Sequence, residues 1–143
     1  MPLLPPLQLP PATQAAMLAA ACAAREKAYA PYSKFLVGAA VLDEQGRIHA
    51  GCNVENAAYP QGVCAEAGAL SAMVMAGGRK AVAVLVVGVA DSPVTPCGGC
   101  RQKLREFAAP EVPVLIANPQ GVLLELTLAQ LLPHSFGPDH LSL

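Results

Sequence analysis

The sequence contains no tryptophan and only three tyrosines and three phenylalanines. So few flat side chains exclude a broad platform on which the bases of a single-stranded nucleic acid could stack. Charge is sparse too. Charged residues make up 13% of the chain, and nine basic against ten acidic residues leave a formal net charge of −1. No basic excess exists to neutralise a phosphate backbone, so nucleic acid is not an expected partner. A long apolar run is also missing. The strongest, Ala81 to Ala90, falls far short of the roughly 20 residues that a membrane-spanning helix needs. Its length and valine content predict a strand buried on both faces. The opening MPLLPPLQLPP has no positive n-region and is broken by prolines, so an export signal is not expected, and the expected location is cytoplasmic. The five cysteines are odd in number, which argues against a disulfide framework.

What is present is apolar substance for one core. The 143 residues are 54% hydrophobic, which predicts a single folded domain over 1–143. So little charge predicts that part of the surface is covered by copies of the chain itself. Residues 1–12 read as an extended arm. The alanine-rich stretch Thr13 to Tyr29 predicts a helix closed by Pro31. Phe35 to Leu42 and Arg47 to Asn53 read as strands joined by the turn Asp43-Glu44-Gln45-Gly46. Cys64 to Met75 predicts a helix stopped at Gly77-Gly78, and Ala81 to Val89 the buried strand. Cys97 to Phe107 reads as a third helix. Val112 to Ala117 and Val122 to Leu126 read as two last strands about Asn118-Pro119-Gln120-Gly121, and Thr127 to Leu132 as a short helix before a tail at 133–143. The order αββαβαββα predicts an α/β fold of three layers, α/β/α, around a single mixed five-stranded sheet.

Chemistry concentrates in two places. Cys64-Ala65-Glu66 opens one predicted helix, and Pro96-Cys97-Gly98-Gly99-Cys100 opens another. The Cys-x2-Cys spacing lets two thiolates reach one metal from the first turn of a helix, and Cys64 could meet them across the gap. A helix N-terminus carries partial positive charge and free N–H groups, both of which favour a thiolate. Three ligands are the telling count. Structural zinc sites are closed by four protein ligands, whereas catalytic ones keep a place for water. His49 lies in a strand away from the motif, and His134 and His140 lie in the tail. Glu66 is close enough to shuttle a proton without itself ligating the metal. The blander alternatives are a zinc knuckle short of one ligand or a lone Cys-x2-Cys redox pair. Cys22 and Cys52 read as small buried apolar residues. Taken alone, Phe35 would be core, Asn53 and Asn56 turn residues, Glu55 a solvated charge and Phe136 an anchor for the tail. Cys-x-Glu followed by Pro-Cys-x2-Cys matches the signature of zinc nucleobase deaminases.

The chain resembles the small, three-cysteine, homotetrameric cytidine deaminases. The likeness runs through Tyr29-Ala-Pro-Tyr-Ser-Lys-Phe-Leu-Val-Gly-Ala-Ala40, Gly51-Cys-Asn-Val-Glu-Asn56, Cys64-Ala-Glu66, Pro96-Cys-Gly-Gly-Cys-Arg-Gln102 and Leu132-Pro-His-Ser-Phe-Gly-Pro138. Only the proline-rich start lies outside it. The resemblance implies one Zn2+ per subunit on Cys64, Cys97 and Cys100, and proton transfer by Glu66. It implies that Phe35 packs on the pyrimidine, that Asn53 and Glu55 bind the ribose 3′-hydroxyl, and that the Ala65 backbone contacts the base carbonyl. Tyr59 and Phe136 would line sites shared between subunits, the tail reaching a neighbour. The implied reaction is hydrolytic deamination of cytidine and deoxycytidine in pyrimidine salvage. A modified cytosine nucleoside of the blasticidin type and a non-catalytic zinc-binding role are the alternatives.

One departure stands out. Family members usually carry Arg, often followed by Thr, straight after the glutamate, where this chain has Ala67 and Gly68. Three thiolates outweigh one divalent ion, and the Arg would offset that excess. Its absence predicts a raised pKa for the metal's water, weaker metal retention, or another donor, with Arg79, Arg101 and Lys103 as candidates. The small side chains also suggest looser packing and tolerance of substituents at the pyrimidine N4 or C5.

Overall fold

A computed structural model describes residues 8–141. The predicted arm at 1–12 lies outside the described residues up to residue 7, and its last two residues belong to the first helix. The elements are α1 (Pro11–Arg25), β1 (Gly38–Asp43), β2 (Ile48–Cys52), α2 (Ala65–Met75), β3 (Ala81–Val87), α3 (Gly98–Phe107), β4 (Pro113–Asn118), β5 (Gly121–Thr127) and α4 (Leu128–Leu131). The strands form one sheet in the order β2-β1-β3-β4-β5. The β3–β4 pair is parallel, and the other three are antiparallel. This is the mixed five-stranded sheet that the order of elements predicts.

The central strands are apolar throughout because each buries both faces. Val84, Val86, Val114 and Ile116 point into a core shared with Ala65, Ala69, Leu70 and Met73 of α2 and Leu104 of α3. Their neighbours Ala83, Leu85, Leu115 and Ala117 meet Met17 and Ala21 of α1 on the opposite face. Helices therefore cover the sheet on both sides. No described helix is long and apolar enough to cross a membrane.

Element ends differ from the sequence expectation where hydrogen bonds between distant segments override propensity. Helix α1 starts at Pro11, whose missing N–H is no loss at a first helical position. It stops at Arg25 rather than Tyr29, because the Tyr29 N–H donates to the Asn53 carbonyl and the Tyr29 carbonyl accepts from Glu55 N. Strand β1 starts at Gly38 instead of Phe35, since the chain from Ala30 to Val37 forms a loop held by side chains. Two short 3₁₀ turns, Tyr59–Gln61 and Pro138–His140, carry no periodic signal that would have revealed them.

Gly51 of β2 sets the depth at which α2 rests on the sheet. A Cβ there would stand 2.6 Å from the Ala65 carbonyl oxygen and 2.7 Å from the Gly68 carbonyl carbon. Both are backbone atoms, which cannot swing away, so only glycine admits the first turn of α2 so closely.

The β1–β2 turn is tied by Asp43, which is buried. Its Oδ1 accepts from the N–H groups of Gln45 and Arg47, and its Oδ2 faces Arg47 Nε and His49 Nε2, both at 2.8 Å. Arg47 also donates to the Ala76 carbonyl at the end of α2. Burial raises the Asp43 pKa, but the bonds from His49, Arg47 and Gln45 outweigh it and hold the carboxyl below the usual carboxylate range. In the unfolded chain it titrates near 3.9. The stabilisation is thus complete above about pH 4 and is lost as the pH falls from there through the lower folded value. Asp43→Asn is expected to lower the Tm at pH 7. That deficit against the parent should shrink below about pH 4 in thermal melts across pH.

Candidate active site

Two helix starts face each other at the end of the sheet. Cys64 is the N-cap of α2 and Cys97 the N-cap of α3, while Cys100 lies in the first turn of α3. The three Sγ atoms lie within 4.8 Å of one another. The Cys64 and Cys97 sulfurs are 3.8 Å apart. Two sulfurs bound tetrahedrally to one zinc, each at about 2.3 Å, would stand about 3.8 Å apart, so the sulfur geometry fits that ion.

The electrostatics fit as well. Burial pushes the Cys64 and Cys100 thiols up. Burial also acts on Cys97, but hydrogen bonds from the Cys100 backbone N–H and from the Cys100 and Cys64 thiols outweigh it and lower that thiol. A cation at the centre of the set would favour the ionised form of all three. Among the described residues the cluster numbers three ligands.

Glu66 is 4% exposed, and burial raises its carboxyl pKa. It lines a cavity of about 220 Å³ together with Cys64, Ala65 and Cys97. Phe35, Val37 and Asn53 form one wall, and Val86, Val94 and Thr95 another. The last three carry no sequence signal, since nothing but the fold places the end of β3 and the following loop beside Cys97. Phe35 is half-exposed at this cavity.

Asn53 and Glu55 build the loop that delivers Phe35. Asn53 Oδ1 accepts from Val37 N at 2.9 Å, and its Nδ2 donates to the Phe35 carbonyl at 2.8 Å. Glu55 Oε1 accepts from Tyr32 N and Ser33 N, and these bonds lower its pKa, the Ser33 ones foremost. Between them Lys34 adopts a left-handed φ of 62°, turning the chain ahead of Phe35. Glu55 itself lines an adjoining recess with Tyr32 and Tyr59 rather than the Glu66 cavity. Tyr59 is 75% exposed and meets Tyr32 edge-on at 5.9 Å. Phe136 lies elsewhere, 58% exposed, stacked on His140, with its carbonyl accepting from Gln102.

The family model for the cytidine and deoxycytidylate deaminase zinc-binding region matches residues 11–116. The chain is a member of this deaminase family. It is 49% identical over 119 residues to a cytidine deaminase of Sporosarcina psychrophila, covering 83% of this chain and 88% of that one. A cytidine deaminase of Mycobacterium tuberculosis is 43% identical over 114 residues, covering 80% and 82%. The crystal structure of the Burkholderia pseudomallei cytidine deaminase superposes with a TM-score of 0.80 at 46% identity, covering 85% of this chain and 98% of that one.

The residues at the family's departure point lie outside the deaminase cavity. Ala67 faces a separate groove between α2 and α3, and Gly68 backs onto Gly51. Their small size therefore does not enlarge the space beside Glu66, and the expected room for N4 or C5 substituents has no counterpart there. Of the candidate cations, Arg101 is consumed by the Pro96 and Leu131 carbonyls and Thr95 Oγ1. Arg79 is tied to the Val74 and Gly78 carbonyls.

Proposed function

We propose that this chain catalyses the hydrolytic deamination of cytidine and deoxycytidine to uridine and deoxyuridine, with release of ammonia. The observation that carries the reading is a buried glutamate lining one cavity with Cys64 and Cys97, two members of a three-sulfur cluster of zinc dimensions. Cys64, Cys97 and Cys100 would hold zinc, which when bound supplies water ionised near neutral pH.

The protein's own groups do the rest. Phe35 and the valine wall take the flat pyrimidine and exclude bulk water. The Ala65 backbone, which lines the cavity, would meet the base carbonyl. Glu66 takes a proton from the attacking water and delivers it to N3. It then takes the hydroxyl proton at C4 and passes it to the leaving amine, so that water adds and ammonia departs. Burial raises its carboxyl pKa above the ordinary carboxylate value, toward the range in which a group can both take and return a proton near neutral pH. Asn53, with a remaining N–H and lone pair, lines the cavity and would bind the ribose 3′-hydroxyl, with Glu55 reaching it from the recess that it shares with Tyr32 and Tyr59.

The same reading makes the molecule a homotetramer with shared sites, acting in the cytoplasm in pyrimidine salvage. The exposure of Tyr59, Met75 and Phe136 supports self-association, and the five free thiols suit a reducing compartment. Phe136, remote from its own cavity, would complete a neighbour's. Loss of the cytidine absorbance on incubation with zinc-loaded protein tests the reaction. No turnover by folded, zinc-bound protein would sink it and point to a modified cytosine nucleoside or to a non-catalytic role. Sedimentation at a mass below four chains would remove the shared-site assignment.

A further inference from the structure

Val94 and Thr95, two residues in the wall of the Glu66 cavity, lie in the connection between β3 and α3. Residues 88–97 of that connection belong to no helix or strand. Among the described residues, no backbone–backbone hydrogen bond forms at 89–96. A stretch without such bonds is placed by what its side chains and its carbonyls find elsewhere.

Arg101 supplies that hold. It follows Cys100 in α3, and its side chain returns over the connection. Its Nε donates to the Pro96 carbonyl at 2.7 Å, and its Nη2 donates to Thr95 Oγ1 at 3.1 Å. Its Nη1 donates to the Leu131 carbonyl at 2.8 Å, at the end of α4. Among the described residues, 89–96 makes no other hydrogen bond. The guanidinium is a planar fork of fixed geometry, so one side chain sets the spacing of α3, α4 and the connection. Val94 is stopped on its other side by the end of β3. A Cβ on Gly88 would stand 3.0 to 3.2 Å from three atoms of the Val94 side chain. Val94 thus rests against the Gly88 backbone, and the Arg101 bonds to its two successors keep it there. Arg101 itself does not line the cavity.

We propose that Arg101 is a positioning residue for the deaminase cavity. By fixing Thr95 and Pro96, it sets how closely the Val94–Thr95 wall fits the pyrimidine ring. The inference rests on the reading above that this cavity takes a pyrimidine beside Phe35.

The test compares Arg101→Met and Thr95→Val with the parent, all full-length and zinc-loaded. Thr95→Val keeps the shape of the wall and removes only the acceptor. For each protein, kcat/KM is measured on cytidine, 5-methylcytidine and N4-methylcytidine. One methylene is worth about 10- to 200-fold in a close apolar pocket. In Arg101→Met the ratio of at least one methylated substrate to cytidine is therefore expected to move by ~10-fold or more. Thr95→Val should move it in the same direction. The double variant should match Arg101→Met alone, because both changes cut one link. A ratio of two specificity constants does not depend on how much of the protein is folded, so a merely structural role leaves it unmoved. Unchanged ratios, or shifts that add in the double variant, overturn the proposal.

A second readout needs no substrate. Elastase cuts after small apolar residues, and the connection offers Val89, Ala90 and Val94. It should nick Arg101→Met within 89–96 at least ~10-fold faster than the parent, the effect of releasing a segment from its two hydrogen bonds. Nicking at the parental rate overturns the proposal. Should Arg101→Met be cut along the whole chain, Thr95→Val decides in its place. If the connection is nicked as expected while the parent turns over no cytidine, the substrate reading falls and Arg101 keeps its hold on the wall.

Discussion

Glu66→Gln should leave a folded, zinc-loaded protein that turns over cytidine about 10²- to 10⁴-fold more slowly, the range that a single positioned proton carrier contributes. The substitution is chosen to separate chemistry from architecture. Glutamine has the shape of the carboxylic acid, and a side chain that is 4% exposed needs that shape to keep the α2 start packed. Burial disfavours charge at this position, and a neutral amide of the same shape carries none. Glu66 is not one of the three clustered ligands, so zinc content should stay at one per chain. An amide cannot take a proton from water and return it to N3, and this is the step that disappears. Full turnover by the glutamine variant would remove Glu66 from the mechanism. Loss of zinc together with activity would mean that it supports the metal rather than the proton.

The second large effect is expected at Cys100. It is fully buried, and its backbone N–H also supports the Cys97 thiolate. Cys100→Ala keeps that N–H and removes only the sulfur. Loss of a supporting group around a metal costs about 10- to 100-fold in affinity, so loss of a ligand should exceed ~100-fold and leave the purified protein without zinc. Turnover should vanish with it. The stability consequence is separable. A ligand that binds only the folded state at 100 times its Kd stabilises by about 2.7 kcal/mol. A chelator should therefore lower the Tm of the parent and leave that of Cys100→Ala unmoved. A variant that keeps one zinc per chain would show that the cluster is not the metal site.

Much of this was legible in the chain before any fold was known. Local chemistry writes the elements. Valines in an unbroken run need burial on both faces, and glycine pairs and prolines stop helices. The three ligands could be read because each is at a helix start, where free N–H groups favour thiolates whatever the helices pack against. The position of Glu66 beside the cluster was legible for the same reason, since it is covalently tied two residues from Cys64. The ends of α1 and β1 were not, because the bonds that set them run from Asn53 and Glu55 to Tyr29, Phe35 and Val37, far apart in sequence.

Only the tertiary structure decided the rest. It closed Cys64 onto Cys97 to 3.8 Å, which required α2 and α3 to start at the same end of the sheet. It brought Val86, Val94 and Thr95 to the cavity wall, residues whose local pattern says only strand and loop. It divided Asn53 from Glu55 between two adjoining recesses. It also sorted the cations, committing Arg101 and Arg79 to carbonyls and setting Lys103 in the groove beside Ala67. The sequence determines which groups can do this chemistry, since that follows from side-chain type and the few bonds to a neighbour. Which of them share one cavity depends on packing between segments that the chain does not place side by side.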